Sequence, residues 1–395
     1  MTEDLVNNRL LGYLRPDGRW GFRDHVLVIP LHSALCDTAA KIAAAVDADT
    51  GTDTVTIRHD WDAPAGHLDT ERVRSAFLGF ATHPNVGATL VLGLGPDTDP
   101  FLEALGRSGK PHAVVRLDQA GGFSAAHVTA ESALRRLHAG HIEPVRTPAP
   151  LSALCLGLEC GSSDAFSGIT ANPALGVASD KLVAGGGSSI LAETTELLGA
   201  EHLLARRAIN KEVGERIIAM VHGFERDVAR HGVDLLGSQP APGNIAGGLT
   251  TIEEKSLGAA RKGGTGPITG VVDYAEPLTS TGLFIMDTPG QDIEQMVGMV
   301  AAGAQIVAFT TGKGTPTGSP IAPCLKISSN SDVARRLPDH IDIDAGQIIE
   351  GSETIEEVGE RIFDAVIAAA SGKLTLAERH RNREFALSQI RPMGI

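Results

Sequence analysis

The stretch LECGSSDAFSGITANPALG, residues 158–176, gathers small groups that can do chemistry: Cys160, Ser162, Ser163, Asp164, Ser167, Thr170 and Asn172, set between glycines. It has too few large apolar residues to be core. Hydroxyls, an amide, a carboxylate and a thiol on so pliant a backbone can meet the oxygens of a small hydroxylated ligand one by one. The plainer alternative is a loop closed by its own hydrogen bonds, a habit of Ser, Asp and Asn. A second group is basic: Arg206, Arg207 and Lys211 follow directly on Glu201 and His202. On a generic helix they would be solvated. Placed after a strand and a loop they can receive a carboxylate, which the planar fork of arginine matches well. TTGKGTPTGSP (310–320) sets Lys313 among glycines whose N–H groups can face an anion. The order GxxxxGK[ST] is absent, so carboxylate or sugar-hydroxyl binding is a better reading than a nucleotide. GLGPDTDP (93–100) likewise lacks a full GxGxxG. His25, His32, His83 and His202 stand at strand or loop boundaries without HExxH or facial-triad spacing, so spacing alone names no metal ligand.

These loops need strands to aim them. HVLVIP (25–30), DTVTI (53–57), ATLVLGLG (88–95) and HAVVRL (112–117) read as buried parallel strands, being continuous, β-branched and bounded by Gly, Pro or Asp. Between them lie helical patterns, such as TAAKIAAAV (38–46) and the Asp99-Pro100 start before FLEALG. A second series follows: SALCLGL (152–158), SSILAET (188–194), GLFIMDT (282–288), AQIVAFTTG (304–312) and PCLKISS (323–329). One long helix is expected from about residue 201 to Gly232, with Val213, Ile217, Val221, Phe224 and Val228 on its apolar stripe. Thr354 and Glu357 form a capping box ahead of another. The expectation is an α/β fold of two domains, each with a mostly parallel sheet flanked by helices: 1–145, and 150–395 carrying most of the polar site motifs, joined by the proline-rich HIEPVRTPAP (141–150). Ligands of such sheets bind beyond the carboxyl ends of the strands, where four of the polar loops lie.

Composition sets the outer limits. At 395 residues, two domains are the default. A net charge of −14, with no block of basic residues, argues against a nucleic acid partner. No apolar run approaches the roughly 20 residues of a membrane span. The polar, acidic N-terminus MTEDLVNNRL is unlike a secretory signal, and Cys36, Cys155, Cys160 and Cys324 lack CxxC spacing, which points to a cytoplasmic protein without a disulfide framework.

Several blocks carry a family likeness. GYLRPDGRWGFRDHVLVIP (12–30) resembles the GYxRxDGRxGxRNxVLVxP opening of the altronate and galactarate dehydratase family, which includes the large subunit of (2R)-sulfolactate sulfo-lyase. HPNVGATLVLGLG, the 158–176 stretch, ETTELLGAEHLLARRA (193–208), PAPGNIAGGLTTIEEKSLGAARKGGTGPI (240–268), GLFIMDTPG and FTTGKG resemble its later blocks in order. The resemblance implies a metal-dependent lyase, usually iron-assisted, that removes water from a hydroxylated sugar-acid-like carboxylate to leave a 2-keto-3-deoxy acid. It implies a divalent cofactor, Fe2+ before Mn2+ or Mg2+. Cys160 and Asp164 are then the metal candidates, and Asp164, His202 and Lys255 the catalytic ones. Ser162, Ser163, Thr170, Asn172, Arg206, Arg207, Lys211 and Lys313 are expected to bind the small hydroxy-acid substrate.

Lys255 can equally pair with Glu253 or Glu254, and His202 can cap. Two positions at which many relatives have cysteine are Ala34 and Pro96, with Cys36 two residues from the first, and the family's Asn in GxRN is Asp24. The small domain that precedes these motifs in the sugar-acid dehydratases is a separate subunit in the sulfo-lyase, so a small partner chain is expected, along with homo-oligomerisation. Two rivals stand beside the dehydratase: a C–S lyase releasing sulfite from a sulfolactate-like substrate, and a non-catalytic sugar-acid binding protein.

Overall fold

A computed structural model describes residues 10–62, 70–96, 99–141, 144–232 and 239–387. Parts of the expected N-terminal segment, of GLGPDTDP and of the 141–150 linker lie outside these residues.

Strands β1 (Leu11–Leu14) and β2 (Trp20–Gly21) pair antiparallel. The chain then forms a four-stranded parallel sheet from β3 (His25–Pro30), β4 (Val55–Thr56), β5 (Val86–Gly93) and β6 (His112–Arg116), in the order β4-β3-β5-β6. Its strands are joined by the helices Cys36–Thr50, Thr70–Thr82 and Asp99–Arg107. β7 (Thr147–Pro148) returns to pair with β1.

The second half builds a seven-stranded parallel sheet. Its strands are β8 (Cys155–Gly161), β9 (Ser188–Leu191), β10 (Ile268–Val272), β11 (Gly282–Met286), β12 (Ile306–Thr311), β13 (Cys324–Ser328) and β14 (Ile343–Asp344). Their order is β10-β11-β9-β8-β12-β13-β14. The expected α/β class and its two parallel sheets are both present. β8 is buried along its whole length, and its side chains alternate between two cores. Leu156 and Leu158 join one core with the helices Ala171–Ala184 and Ile355–Ala370, while Cys155 joins the other with Met299, Val307 and Phe309.

That second core also takes in Phe77 and Phe80 from the first half, so the two sheets share apolar packing. Gly79 makes the contact close: a Cβ there would lie 2.4 Å from the carbonyl oxygen of Ala301, at the end of the Asp292–Ala301 helix.

One expected element is different. The helix expected from 201 to 232 is two, Glu201–Ala205 and Lys211–Arg230. The break follows from Asn210, which adopts an extended backbone and accepts from Val213 N at 2.9 Å as an N-cap. The residues before it add a short bridge to the edge of β10, with Ile209 N on Ile268 O at 3.1 Å. The apolar stripe from Val213 to Val228 lies wholly in the second helix, so it carries no information about residues 201–210. Gly232, at φ 68, does end the second helix, and the Thr354–Glu357 capping box is present. Among the described residues no helix is long and apolar enough to cross a membrane.

Candidate active site

From β8 the chain runs first to β9 and the strands beyond it, then crosses back from β11 to β12 on the other flank of β8. The strand order therefore reverses beside β8, and the crevice beyond its carboxyl end is where a ligand is expected. Cys160 and Gly161 are the last residues of β8. Glu193 follows β9 in the left-handed region, φ 73 and ψ 78, a costly place for a side chain with a Cβ. Its amide donates to Thr288 Oγ1 at 2.7 Å, and Thr194 Oγ1 donates to Asp287 at 2.6 Å, so the loops after β9 and β11 lock together. The short turn Thr194–Leu197 then carries Glu196 inward. Helix Ile252–Ala260, capped by Thr251, supplies Lys255, and the turn Arg261–Gly263 behind it supplies Lys262.

These side chains form one buried cluster. Cys160 Sγ donates to Glu196 Oε2 at 2.8 Å, and Lys262 Nζ lies 2.8 Å from Cys160 Sγ and 3.2 Å from Glu196 Oε2. Lys255 Nζ is 3.2 Å from Glu196 Oε1, 3.8 Å from Glu193 Oε1 and 2.7 Å from Gln239 Oε1. Asp292 approaches from the other side of the strand end, so close that a Cβ on Gly161 would lie 2.2 Å from its Oδ2. Glu159, also on β8, is wholly buried, and neither of its carboxylate oxygens has a hydrogen-bond partner among the described residues.

Four acids and a thiol thus face two amines, and the protonation states follow from that imbalance. Burial would raise Glu196, but the ammoniums of Lys262 and Lys255 outweigh it and hold the carboxyl down to about 2. Burial pushes Glu193 well up, with Glu196 adding to it, and burial with Asp292 does the same to Glu159. Asp292 is raised to about 6 by burial and then Glu196. Burial and Glu196 also keep Cys160 a thiol, against the pull of Lys262. Burial opposes the charge on both lysines, yet their acidic neighbours keep them ammoniums, each raised above its ordinary value. Two cations firmly ionise Glu196, Asp292 ionises above about 6, and Glu159, Glu193 and Cys160 hold protons that a further cation would displace.

The cluster fits a divalent metal by its donors. Ligand atoms of Cys160, Glu193 and Glu196 lie within 4.8 Å of one another, and Glu193 Oε2 is buried without a hydrogen-bond partner among the described residues. One thiol with two carboxylates is a set that first-row metals accept.

Beside the cluster is a recess of 240 Å³ lined by Ser163, Asp164, Asn172, Lys255 and Arg261, among others. The expected residues divide around it. Cys160 and Lys255 are in the cluster. Asp164 stands outside the three-donor group, and its Oδ1 accepts from Ser167 N, Ser167 Oγ and Ser329 Oγ at 2.9, 2.9 and 2.7 Å. Thr170 Oγ1 donates to backbone carbonyls, and Asn172 bridges Thr310 Oγ1 and Gly258 O, so both brace the loop. Ser163 lends its carbonyl to Asn244, and Ser162, at φ 53, accepts from Gly312 N.

The basic group is not brought to the cluster by any described contact. Arg207 donates to Gly266 O and Gly263 O at 2.9 and 2.7 Å, pinning the turn that carries Lys262. Lys211 pairs with Glu215 on its own helix, and Arg206 and His202 are exposed. Lys313 is exposed and donates to Gly243 O. Cys36 donates to His59 O at 3.5 Å, away from the three-donor group.

Sequence reasoning missed Glu159, Glu193, Glu196, Lys262 and Asp292. The signal for two of them was the ETTE run, acids three apart directly after a strand at a carboxyl edge.

Residues 151–393 match the family described as D-galactarate/Altronate dehydratase, C-terminal, and residues 12–140 match D-galactarate dehydratase/Altronate hydrolase, second domain. The chain is 35% identical over 391 residues to altronate dehydratase of Bacillus subtilis (strain 168), covering 96% of this chain and 78% of the relative. It is 34% identical over 395 residues to (2R)-sulfolactate sulfo-lyase subunit beta of Chromohalobacter salexigens, covering 98% and 99%. It is 42% identical over 228 residues to galactarate dehydratase (L-threo-forming) of Escherichia coli (strain K12), covering 58% and 43%.

Proposed function

Because the chain belongs to the D-galactarate/altronate dehydratase family and is a hydro-lyase of that kind, we propose that it removes water from a 2,3-dihydroxy, sugar-acid-like carboxylate. The product is a 2-keto-3-deoxy acid. The observation that carries this reading is the buried thiol, carboxylate and ammonium cluster at the strand-order reversal, with Lys255 belonging both to it and to the adjoining recess.

The elimination takes a proton from C2 and expels the C3 hydroxyl with a proton as water, and the resulting enol becomes the ketone. Lys255 is held as an ammonium, so it serves as a clamp for the substrate carboxylate or as a proton donor, and the role of base passes from it to Asp292. A carboxyl raised to about 6 is suited to proton transfer near neutrality. Lys262 keeps its proton beside Cys160 and balances the charge of Glu196. Cys160, Glu193 and Glu196 would hold a divalent cofactor, Fe2+ before Mn2+ or Mg2+, which supplies Lewis-acid polarisation of the substrate's carboxylate and hydroxyl oxygens. Ser163 and Asn172 line the recess and are kept as substrate contacts, while Arg206, Lys211, Lys313 and His202 would need a closure to reach it.

The division into 1–145 and 150–395, a small partner subunit and a homo-oligomeric assembly belong to the same proposal. A second reading, release of sulfite from a sulfolactate-like acid, is favoured by the alignment over 99% of the sulfo-lyase subunit.

The test is an anaerobic assay of Fe2+-loaded protein with altronate, galactarate and sulfolactate, read for 2-keto acid and for sulfite, with and without the small subunit of a relative. Keto acid without sulfite supports the dehydratase, and sulfite supports the second reading. Unchanged turnover in both Cys160→Ser and Glu196→Gln rules out this cluster as the site. Tight ligand binding with no turnover under any condition leaves a binding protein.

A further inference from the structure

On the amino-terminal side of the sheets, opposite the candidate active site, the C-terminal segment folds back over a recess of 290 Å³. Its walls come from four parts of the chain: Arg23 and His25 where β3 begins, Asp53 before β4, Ser319 to Ala322 before β13, and Leu374 to Arg383. Four of the lining residues are arginines, Arg23, Arg379, Arg381 and Arg383, and only two, Asp53 and Glu378, are acids. Glu384 lies just beyond, with one oxygen held by Gly318 N at 2.7 Å. An excess of guanidinium charge in one recess is out of keeping with a chain whose net charge is −14.

The arginines differ in what they have left to give. Arg23 uses all five of its N–H groups, on both oxygens of Glu378 and on the carbonyls of Phe22, Ala369 and Lys373, so it contributes charge but no free donor. Arg383 meets Asp53 through one contact at 2.5 Å, and Arg381 reaches Asp53 only at 3.8 Å. Arg379 has no ion pair among the described residues. Three guanidiniums therefore retain donors in a fork that suits planar or tetrahedral oxyanions.

An independent observation points the same way. Ser319 lines the recess at 8% exposure, and its hydroxyl is buried without a hydrogen-bond partner among the described residues. A buried hydroxyl left unpaired costs about 1–3 kcal/mol and is uncommon unless something outside the chain pairs it.

We propose that this recess binds a small multivalent oxyanion of the phosphate or polycarboxylate type, held by Arg379, Arg381 and Arg383 and by the Ser319 hydroxyl. The bound anion would tie the C-terminal segment to the first sheet and to the end of the 310–320 loop. The start of that loop, Thr310 and Thr311, runs in register with Cys160 and Gly161 of β8. The site is distinct from the thiol and carboxylate cluster and does not depend on the activity assigned to it.

The test is titration calorimetry and thermal melting of the whole protein with inorganic phosphate and, separately, with citrate, against sodium chloride at equal ionic strength. Saturable binding of either anion, with a melting midpoint that rises beyond the chloride control, is expected. Binding should weaken by about tenfold or more in Arg379→Gln/Arg381→Gln and by a smaller factor in Ser319→Ala. Phosphate binding assigns the site to phosphate-type ligands, and citrate binding alone assigns it to polycarboxylates. Equal affinity in wild type and the double variant, or a midpoint shift fully reproduced by chloride, overturns the proposal. The two exposed substitutions remove no ion pair closer than 3.8 Å, and the melting curve in chloride reports whether the variants are folded.

Discussion

On the proposed function, the side chain that would decide the chemistry is Asp292, whose carboxyl is raised to about 6 by burial and by Glu196. If it takes the C2 proton it must be ionised, so turnover falls as pH drops through its pKa. A bound dication would shift that limb to lower pH, because positive charge favours the carboxylate. The prediction is an acid limb in kcat/KM at or below about 6, absent from Asp292→Asn, whose rate should be lower by about 10²- to 10⁴-fold. If the variant keeps both the limb and the rate, Asp292 has no part in the reaction. At this scale the sequence was only partly legible. Cys160 stood out because a thiol in a glycine-rich loop is conspicuous. Glu193, Glu196 and Lys262 did not, because their pairing depends on a turn after β9 and a turn 69 positions beyond Glu193, at Lys262, which no local spacing encodes. Asp164 was conspicuous for the opposite reason: an Asp that closes its own loop with Ser167 is read from sequence as easily as one that binds a metal.

Among elements, the helix Ala171–Ala184 and the turn Arg261–Gly263 set where Lys262 sits, and Gly176 allows their approach. A Cβ on Gly176 would lie 2.2 Å from Arg261 O and 3.0 Å from Gly264 Cα, both of them backbone atoms that cannot swing aside. Gly176→Ala is therefore expected to destabilise by about 1–3 kcal/mol, since overpacking outweighs the gain in helix propensity. It should also lower turnover, because the turn can yield only by moving Lys262 off Cys160. Gly106→Ala is the control: it lies in the Asp99–Arg107 helix with nothing within 4 Å, so the added methyl should be neutral or stabilising by up to about 1 kcal/mol. Denaturant melts and steady-state rates of both variants check this, and equal behaviour of the two would mean that Gly176 sets nothing. The strands were the most legible elements, since continuous β-branched runs bounded by breakers have few alternatives. β10 and the small strands β1, β2 and β7 escaped notice because each is short or interrupted by glycine. The break at Asn210 went unseen because the apolar stripe begins only at Val213, inside the second helix.

Across the whole molecule, the sequence suggests two units, but the packing makes their stability common property. The Thr70–Thr82 helix shares a core with the Asp292–Ala301 helix, and the C-terminal segment crosses back to the first half. There, Arg23 meets Glu378 at 2.6 Å, and Phe385 stacks on Phe77 with ring centroids 6.2 Å apart and meets Phe80 edge-on at 5.0 Å. The ring supplies the apolar part of that tie, while the Arg23–Glu378 pair is bidentate and largely buried, so removing either partner would leave an uncompensated charge. Removing the ring by Phe385→Ala should cost about 2 kcal/mol, below the 3–5 of a fully buried phenylalanine because this one is half-buried. The loss falls on the join and not on the thiol and carboxylate cluster, so turnover of the folded variant should stay within about twofold of wild type while its denaturation midpoint falls. If the halves depend on each other through this join, wild type unfolds in one transition, and the variant begins to separate the first half's melting from the second's. Urea melts followed by a probe in each half read this directly, and two well-separated transitions already present in wild type would show that the shared core does not couple them.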